Sequence, residues 1–261
     1  MTDGDFSMVR DGHLAIITLN RPEKRNALTG QSLLQLQHMA EALSDDGAVR
    51  AVIIRGEGKD FSVGADIGGM GDRPPQTVVI RRVAEQGARL MRALREVHQP
   101  TICAIQGIAT GGAACIATAC DFRIAQEGAR IGYGEVKLGI NLMWNALPLA
   151  IELVGNARAK RMVMRGDLVD AATLLDWGFL DELVAPGTLD EAARTMASHY
   201  AALPPVAVQM IKRSANACAG ALSQAIMHAD ADQWLLASRT ADFKEGVSSF
   251  FEKRAPSFTG D

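Results

Sequence analysis

The chain has 261 residues, 48% of them hydrophobic, enough to bury a sizeable core as one principal unit. Its 27 basic and 30 acidic residues leave a formal charge of -3, which excludes any global bias toward nucleic acid or an anionic membrane surface. No run approaches the roughly 18 apolar residues of a membrane span, and the opening MTDGDFSMVRDGH lacks a charged-then-apolar leader, so a cytoplasmic location without membrane or nucleic-acid partners is expected.

In chain order, short apolar runs alternate with helix-like ones. HLAIITLN, ending at Asn20, reads as a strand, as does AVIIRG, ending at Gly56. Between them the spacing of Leu33, Leu36, Met39, Ala40 and Leu43 predicts a helix from Gln31 to Leu43, with Thr29 as N-cap and Gly47 as the stop. Residues 68–76 (GGMGDRPPQ) read as a mobile loop, because glycine raises chain entropy and the Pro74-Pro75 pair blocks a helix until the pattern resumes near Val78. Val83, Leu90, Leu94 and Val97 then suggest a helix leading into Pro100, followed by the strands TICAIQG and DFRIAQ and a last strand, LDELVA, ending near Pro186. Beyond it, helical segments from Leu189 to Leu203, Val206 to Ala219 and Ala221 to Arg239 run on without strands. This is an α/β core over 1–188 with a helical region over 189–261, suited to subunit packing or to closing over its own core. Cys103, Cys115, Cys120 and Cys218 are too irregularly spaced for a disulfide framework or a zinc site, so no metal is expected.

Two glycine-centred turns carry the chemistry. FSVGADI (61–67) and IQGIATGGAAC (105–115) each follow a β-branched run, and each strips the backbone of side chains so that a ligand atom can approach its amides. A Gly111-Gly112 pair alone is explained by tight helix packing, and Gly64 alone by its turn. Their shared position after apolar strands, with a helix starting at Gly112, aims free N–H groups and a positive helix end at one ligand. Glu135, between glycines in GYGEVKLGI, adds a carboxylate; two donors and one acid are the minimum equipment for forming and quenching an enolate. Other chemistries lack their motifs. AVIIRGEGKDF begins like a dinucleotide fingerprint, but Phe61 holds the third glycine position; there is no phosphate-loop lysine, no G-x-S-x-G elbow and no H-E-x-x-H pair.

ITLNRPEKRNALT, AVIIRGEGKDFSVGADI, PTICAIQGIATGGAACIATACDFRIA and EGVSSFFEKRAPSF, in that order, resemble the crotonase, or enoyl-CoA hydratase/isomerase, superfamily over nearly the whole length. The resemblance implies a spiral of ββα turns with a C-terminal helical trimerisation region, and a homotrimer or dimer of trimers. It also implies a coenzyme A thioester as substrate, with no separate cofactor. By motif position, the amides of Ala65 and Gly112 would form the oxyanion hole, beside Gly111. The backbone of Ser62, Val63, Asp66 and Ile67, with Arg25 close by, would meet the pantetheine and adenine. Phe251 and Lys253 fall where the family often reaches a neighbouring subunit's nucleotide.

The sequence also departs from that pattern. The family's hydratases flank a water with two glutamates; here the first position is Cys115 and only Glu135 remains. A mostly neutral thiol holds a water poorly. The stretch after Glu135 reads GINLMWNAL instead of the family's glycine-rich one, so Met143 and Trp144 add bulk to the acyl pocket. One carboxylate suffices to shuttle a proton from C2 to C4, which favours enoyl-CoA isomerisation. Hydration by a concerted single-carboxyl route and a non-catalytic acyl-CoA-binding scaffold are the alternatives. Halogen displacement is disfavoured, because its nucleophilic aspartate position holds Met143, and RNA binding lacks a basic tract.

Overall fold

The computed structural model describes residues 4–66 and 76–261. Each early stretch of chain makes one strand of a long sheet, a shorter extended segment in a second layer, and then a helix. The first sheet orders as β1-β2-β3-β4-β6-β9, with β1 (Phe6–Asp11) and β2 (Leu14–Leu19) antiparallel and β3 (Ala51–Gly56), β4 (Thr101–Ile105), β6 (Phe122–Gln126) and β9 (Glu182–Val184) parallel. The second joins β5 (Ile108–Thr110), β7 (Arg130–Gly132) and β8 (Val169–Asp170), and the bridges Ser62 to Ala109 and Leu28 to Ala65 extend that layer. Repeating the strand, short segment and helix winds the chain into a spiral of ββα turns.

Alternate residues of the long sheet serve opposite cores, as a strand's period of two requires. Ile17, Leu19, Val52, Ile54, Cys103 and Ile105 face the main core, packed under α1 (Gly30–Ser44), α2 (Thr77–Glu96) and α3 (Gly112–Ala119). Leu14, Ile16, Ala51, Ile53, Ile102 and Ala104 face a smaller one closed by Leu189, Ala193, Ala197 and Ala201 of α7 (Leu189–Ala201). The strandless stretch therefore begins with a helix that covers the sheet. Thr29 caps α1 reciprocally with Ser32.

The remaining helices are α4 (Ala146–Val154), α5 (Asn156–Arg165), α6 (Ala171–Asp176), α8 (Pro205–Ala219), α9 (Gln224–Met227), α10 (Asp230–Ala237) and α11 (Ala241–Glu252). The single helix expected over 221–239 is corrected to α9 and α10, separated by His228 and Ala229. That break sets Asp230 at the start of α10, where its carboxylate accepts the Asn145 amide hydrogen at 2.9 Å. Of the loop expected over 68–76, all but Gln76 lies outside the described residues. Among the described residues no helix is long and apolar enough to cross a membrane.

Candidate active site

The turn after β3 is built around buried polar groups. Asn26, in the left-handed region at φ 55°, donates to the carbonyls of Glu57, Asp60 and Phe61, tying the stretch after β2 to this turn. Asp60 is 2% exposed and accepts from the Ile108 amide and from Arg25 Nε, each bond 2.8 to 2.9 Å long. Burial pushes the Asp60 carboxyl up, but Arg25 and the Ile108 amide outweigh it and hold the group below its ordinary value. Asp60 thus stays an anion and fixes both glycine turns relative to Arg25.

Ser62 spends its whole polar inventory inside this framework. Its N–H donates to Ile108 O, its carbonyl accepts from Thr110, and its hydroxyl donates to Asn26 O and accepts from Gly64. The Val63 amide donates to Arg25 O, the Asp66 amide to Leu28 O, and the Asp66 carboxylate lies 3.7 Å from Arg21. At Gly64 (φ 83°) a side-chain carbon would lie 2.5 Å from the Thr110 carbonyl oxygen and 3.5 Å from the Gly112 nitrogen. Only glycine lets the two turns stand side by side. Among the described residues, no main-chain acceptor takes the amide hydrogens of Ala65 and Gly112. For Gly112, the first residue of α3, this is the unsatisfied donor of a helix start.

Glu135 enters from the other side. It opens the 3-10 turn Glu135–Leu138 after β7, with the amide hydrogens of Gly139 and Ile140 bonding its carbonyl. α11 packs directly on this turn: side-chain carbons on Gly139 and Gly246 would lie 2.9 Å from Asp242 and 2.7 Å from Leu138 backbone. The carboxyl then faces Gly111 (φ 57°, ψ -126°), where a side-chain carbon would stand 3.3 Å from Glu135 Oε1. Glu135 Oε2 is buried and has no hydrogen-bond partner among the described residues. Burial raises this carboxyl to about 7, only partly offset by its own amide.

Cys115 lies buried on α3, and burial, followed by the nearby charges of Glu135 and Asp230, pushes its thiol well above its ordinary value. It is a neutral neighbour of the carboxyl, with no thiolate character. Met143 and Trp144 are half-buried, and Trp144 and Asn145 are both left-handed, at φ 66° and 58°. The indole of Trp144 lies against Gly112: a side-chain carbon there would meet it at 2.4 Å.

Ala65, Gly111, Gly112, Glu135 and Trp144 are therefore brought together, with Val63 and Asp66 on the adjoining turn and Arg25 bonded to that turn through Asp60 and the Val63 amide. Ile67 lies outside the described residues. Phe251 and Lys253 stand exposed at the far end of α11, where Phe251 meets Phe250 edge to face. The sequence reading missed Asn26, Asp60, Asp230 and Gly87 of α2, against which the Trp144 indole also lies. A glycine inside the α2 periodicity and an Asn able to turn left-handed were legible signals for two of them; nothing local marked Asp230.

The family model for enoyl-CoA hydratase/isomerase matches residues 10–261. The chain is 32% identical over 250 residues to a crotonyl-CoA hydratase of Syntrophomonas wolfei, covering 95% of each. It is 30% identical over 249 residues to a 1,2-epoxyphenylacetyl-CoA isomerase of Escherichia coli, covering 94% of each. A crystal structure of an enoyl-CoA hydratase from Mycobacterium avium subsp. paratuberculosis superimposes with a TM-score of 0.89 at 26% identity, covering 98% of this chain and 99% of that one.

Proposed function

The chain belongs to the enoyl-CoA hydratase/isomerase family, and from its site we propose that it shifts the double bond of an enoyl-CoA thioester, with Glu135 as the lone carboxyl acid–base. The observation that carries this reading is the buried, unpartnered Oε2 of Glu135 on a carboxyl raised to about 7, beside a Cys115 that offers no second carboxylate. A base with that proton affinity is matched to work near neutral pH.

In the proposed reaction the thioester oxygen accepts the Ala65 and Gly112 amide hydrogens. Glu135 takes the C2 proton of a β,γ-enoyl thioester: the C2–H bond breaks, an O–H bond forms, and the electron pair spreads over the thioester oxygen, C2 and C4. The same carboxyl returns the proton to C4, leaving the α,β-enoyl thioester. Each amide donor contributes about 3 to 4 kcal/mol to the oxyanionic transition state. Coenzyme A arrives as part of the substrate, along the turn at 62–66 and Arg25. Assembly as a trimer or a dimer of trimers is part of this reading; exposed Val206, Met210, Ile211 and Leu222 on and after α8 support it, and Phe251 and Lys253 would then meet a neighbour's nucleotide.

Hydration of an α,β-enoyl thioester is the second reading, favoured by the hydratase names of several relatives. The test is to follow β,γ-hexenoyl-CoA conversion and crotonyl-CoA hydration side by side, in the unaltered protein and in Cys115→Glu. Isomerisation by the unaltered protein, with hydration gained only in Cys115→Glu, supports the proposal. Crotonyl-CoA hydration on the order of 10 per second by the unaltered protein overturns the isomerase preference; tight binding without turnover overturns both reactions.

A further inference from the structure

One side chain fills the space left by two glycines on different helices. The Trp144 indole lies against Gly112 at the start of α3 and against Gly87 in the middle of α2, where a side-chain carbon would meet the ring at 2.0 Å. A glycine inside a helix costs about 1 kcal/mol relative to alanine. Here that cost makes the seat for the ring.

The ring's aim depends on an unusual backbone. Trp144 and Asn145 are consecutive non-glycine residues with positive φ, a conformation that is costly unless the surroundings enforce it. Asp230 supplies the constraint: its carboxylate accepts the Asn145 amide hydrogen at 2.9 Å. Burial raises the Asp230 carboxyl, and the nearby amides of Asn145 and Trp144 oppose that rise. Asn141, on the same loop, reaches toward the Asp230 carbonyl at 3.5 Å.

The ring stands where an acyl chain would run. Glu135 faces Gly111 and the indole faces Gly112, and consecutive Cα atoms are about 3.8 Å apart. A thioester held at the Gly112 amide, with its reacting carbons under Glu135, therefore brings its next carbons against the indole.

Resting on the proposed function, we infer that Trp144 is the specificity-determining wall of the acyl pocket, closing the passage between α2 and α3 so that the site takes short-chain enoyl-CoA thioesters, and that Asp230 is the positioning residue that holds this wall in place. Long straight chains are excluded by the bulk of the ring, without any polar discrimination.

The experiment measures, by calorimetry, binding of butyryl-CoA and decanoyl-CoA, saturated thioesters that need no chemistry from Glu135, together with turnover of β,γ-hexenoyl-CoA and β,γ-decenoyl-CoA. In Trp144→Ala the ratio of decanoyl to butyryl affinity is expected to rise about tenfold or more; Trp144→Leu gives a smaller rise and serves if the alanine variant does not fold. Asp230→Ala shifts the ratio the same way, and Asp230→Asn, which keeps an acceptor oxygen, brings it back toward the unaltered protein. Gly87→Ala, which pushes the ring without cutting it, changes the ratio too. A ratio within about twofold of the unaltered protein in both Trp144 variants overturns the wall. An Asp230→Ala ratio equal to that of the unaltered protein overturns the positioning role. Loss of turnover with the binding shift intact counts against the proposed reaction alone, and failure of butyryl-CoA to bind the unaltered protein overturns both.

Discussion

Glu135 Oε1 stands 3.3 Å from the point where Gly111 would carry a side-chain carbon, on a residue whose φ of 57° and ψ of -126° suit glycine alone. Gly111→Ala therefore strains the backbone and presses on the carboxyl at once. The expected cost is about 1 to 3 kcal/mol of stability and about a hundredfold in turnover from misplacing the reacting groups. Thermal unfolding and β,γ-hexenoyl-CoA turnover check the two effects separately.

The Glu135 carboxyl, raised by burial from 4.5 to about 7, makes the fold sensitive to pH. Between those values the folded chain holds a proton that the unfolded chain has released, so stability falls as pH rises through this window and levels off above it. Glu135→Gln removes the penalty. It is expected to exceed the unaltered protein in stability by roughly 3 kcal/mol above pH 8 and by almost nothing near pH 4, measured by denaturant unfolding at the two pH values.

The same group sets an activity limb. Proton abstraction needs the carboxylate, so kcat/KM for isomerisation is expected to rise with pH and level off above about 7. A pH–rate profile checks this; a limb near 4.5 would place the base in water.

Lys212 of α8 reaches Asp121 at 2.6 Å and the Gln99 carbonyl at 2.8 Å with its side chain 8% exposed. Removing one partner of a buried pair leaves the other uncompensated. Asp121 keeps its bonds from the Thr101 amide and hydroxyl, which moderates the loss. Lys212→Ala is expected to cost about 3 kcal/mol in denaturant unfolding.

The elements that pack along one strong periodicity were legible in the sequence. AVIIRG became β3 residue for residue, and Thr29 capped α1 as its position suggested. β1 escaped notice because FSMVRD is an edge strand with a half-exposed, mixed pattern, and β5, β7 and β8 because two or three residues carry no period. The glycine turns and Glu135 could be found because they are local in sequence. What braces them and the Trp144 loop could not: Asp60 acts across 35 positions to Arg25, and Asp230 across 85 to Asn145, so only folding brings these groups together.

The most direct test of the lone-carboxyl account is isotope exchange into β,γ-hexenoyl-CoA in deuterated water. The expected result is deuterium entering C2 and C4 with the unaltered protein and a loss of about a thousandfold in that rate in Glu135→Gln, with the thioester still bound. Exchange in Glu135→Gln at the unaltered rate would contradict the account.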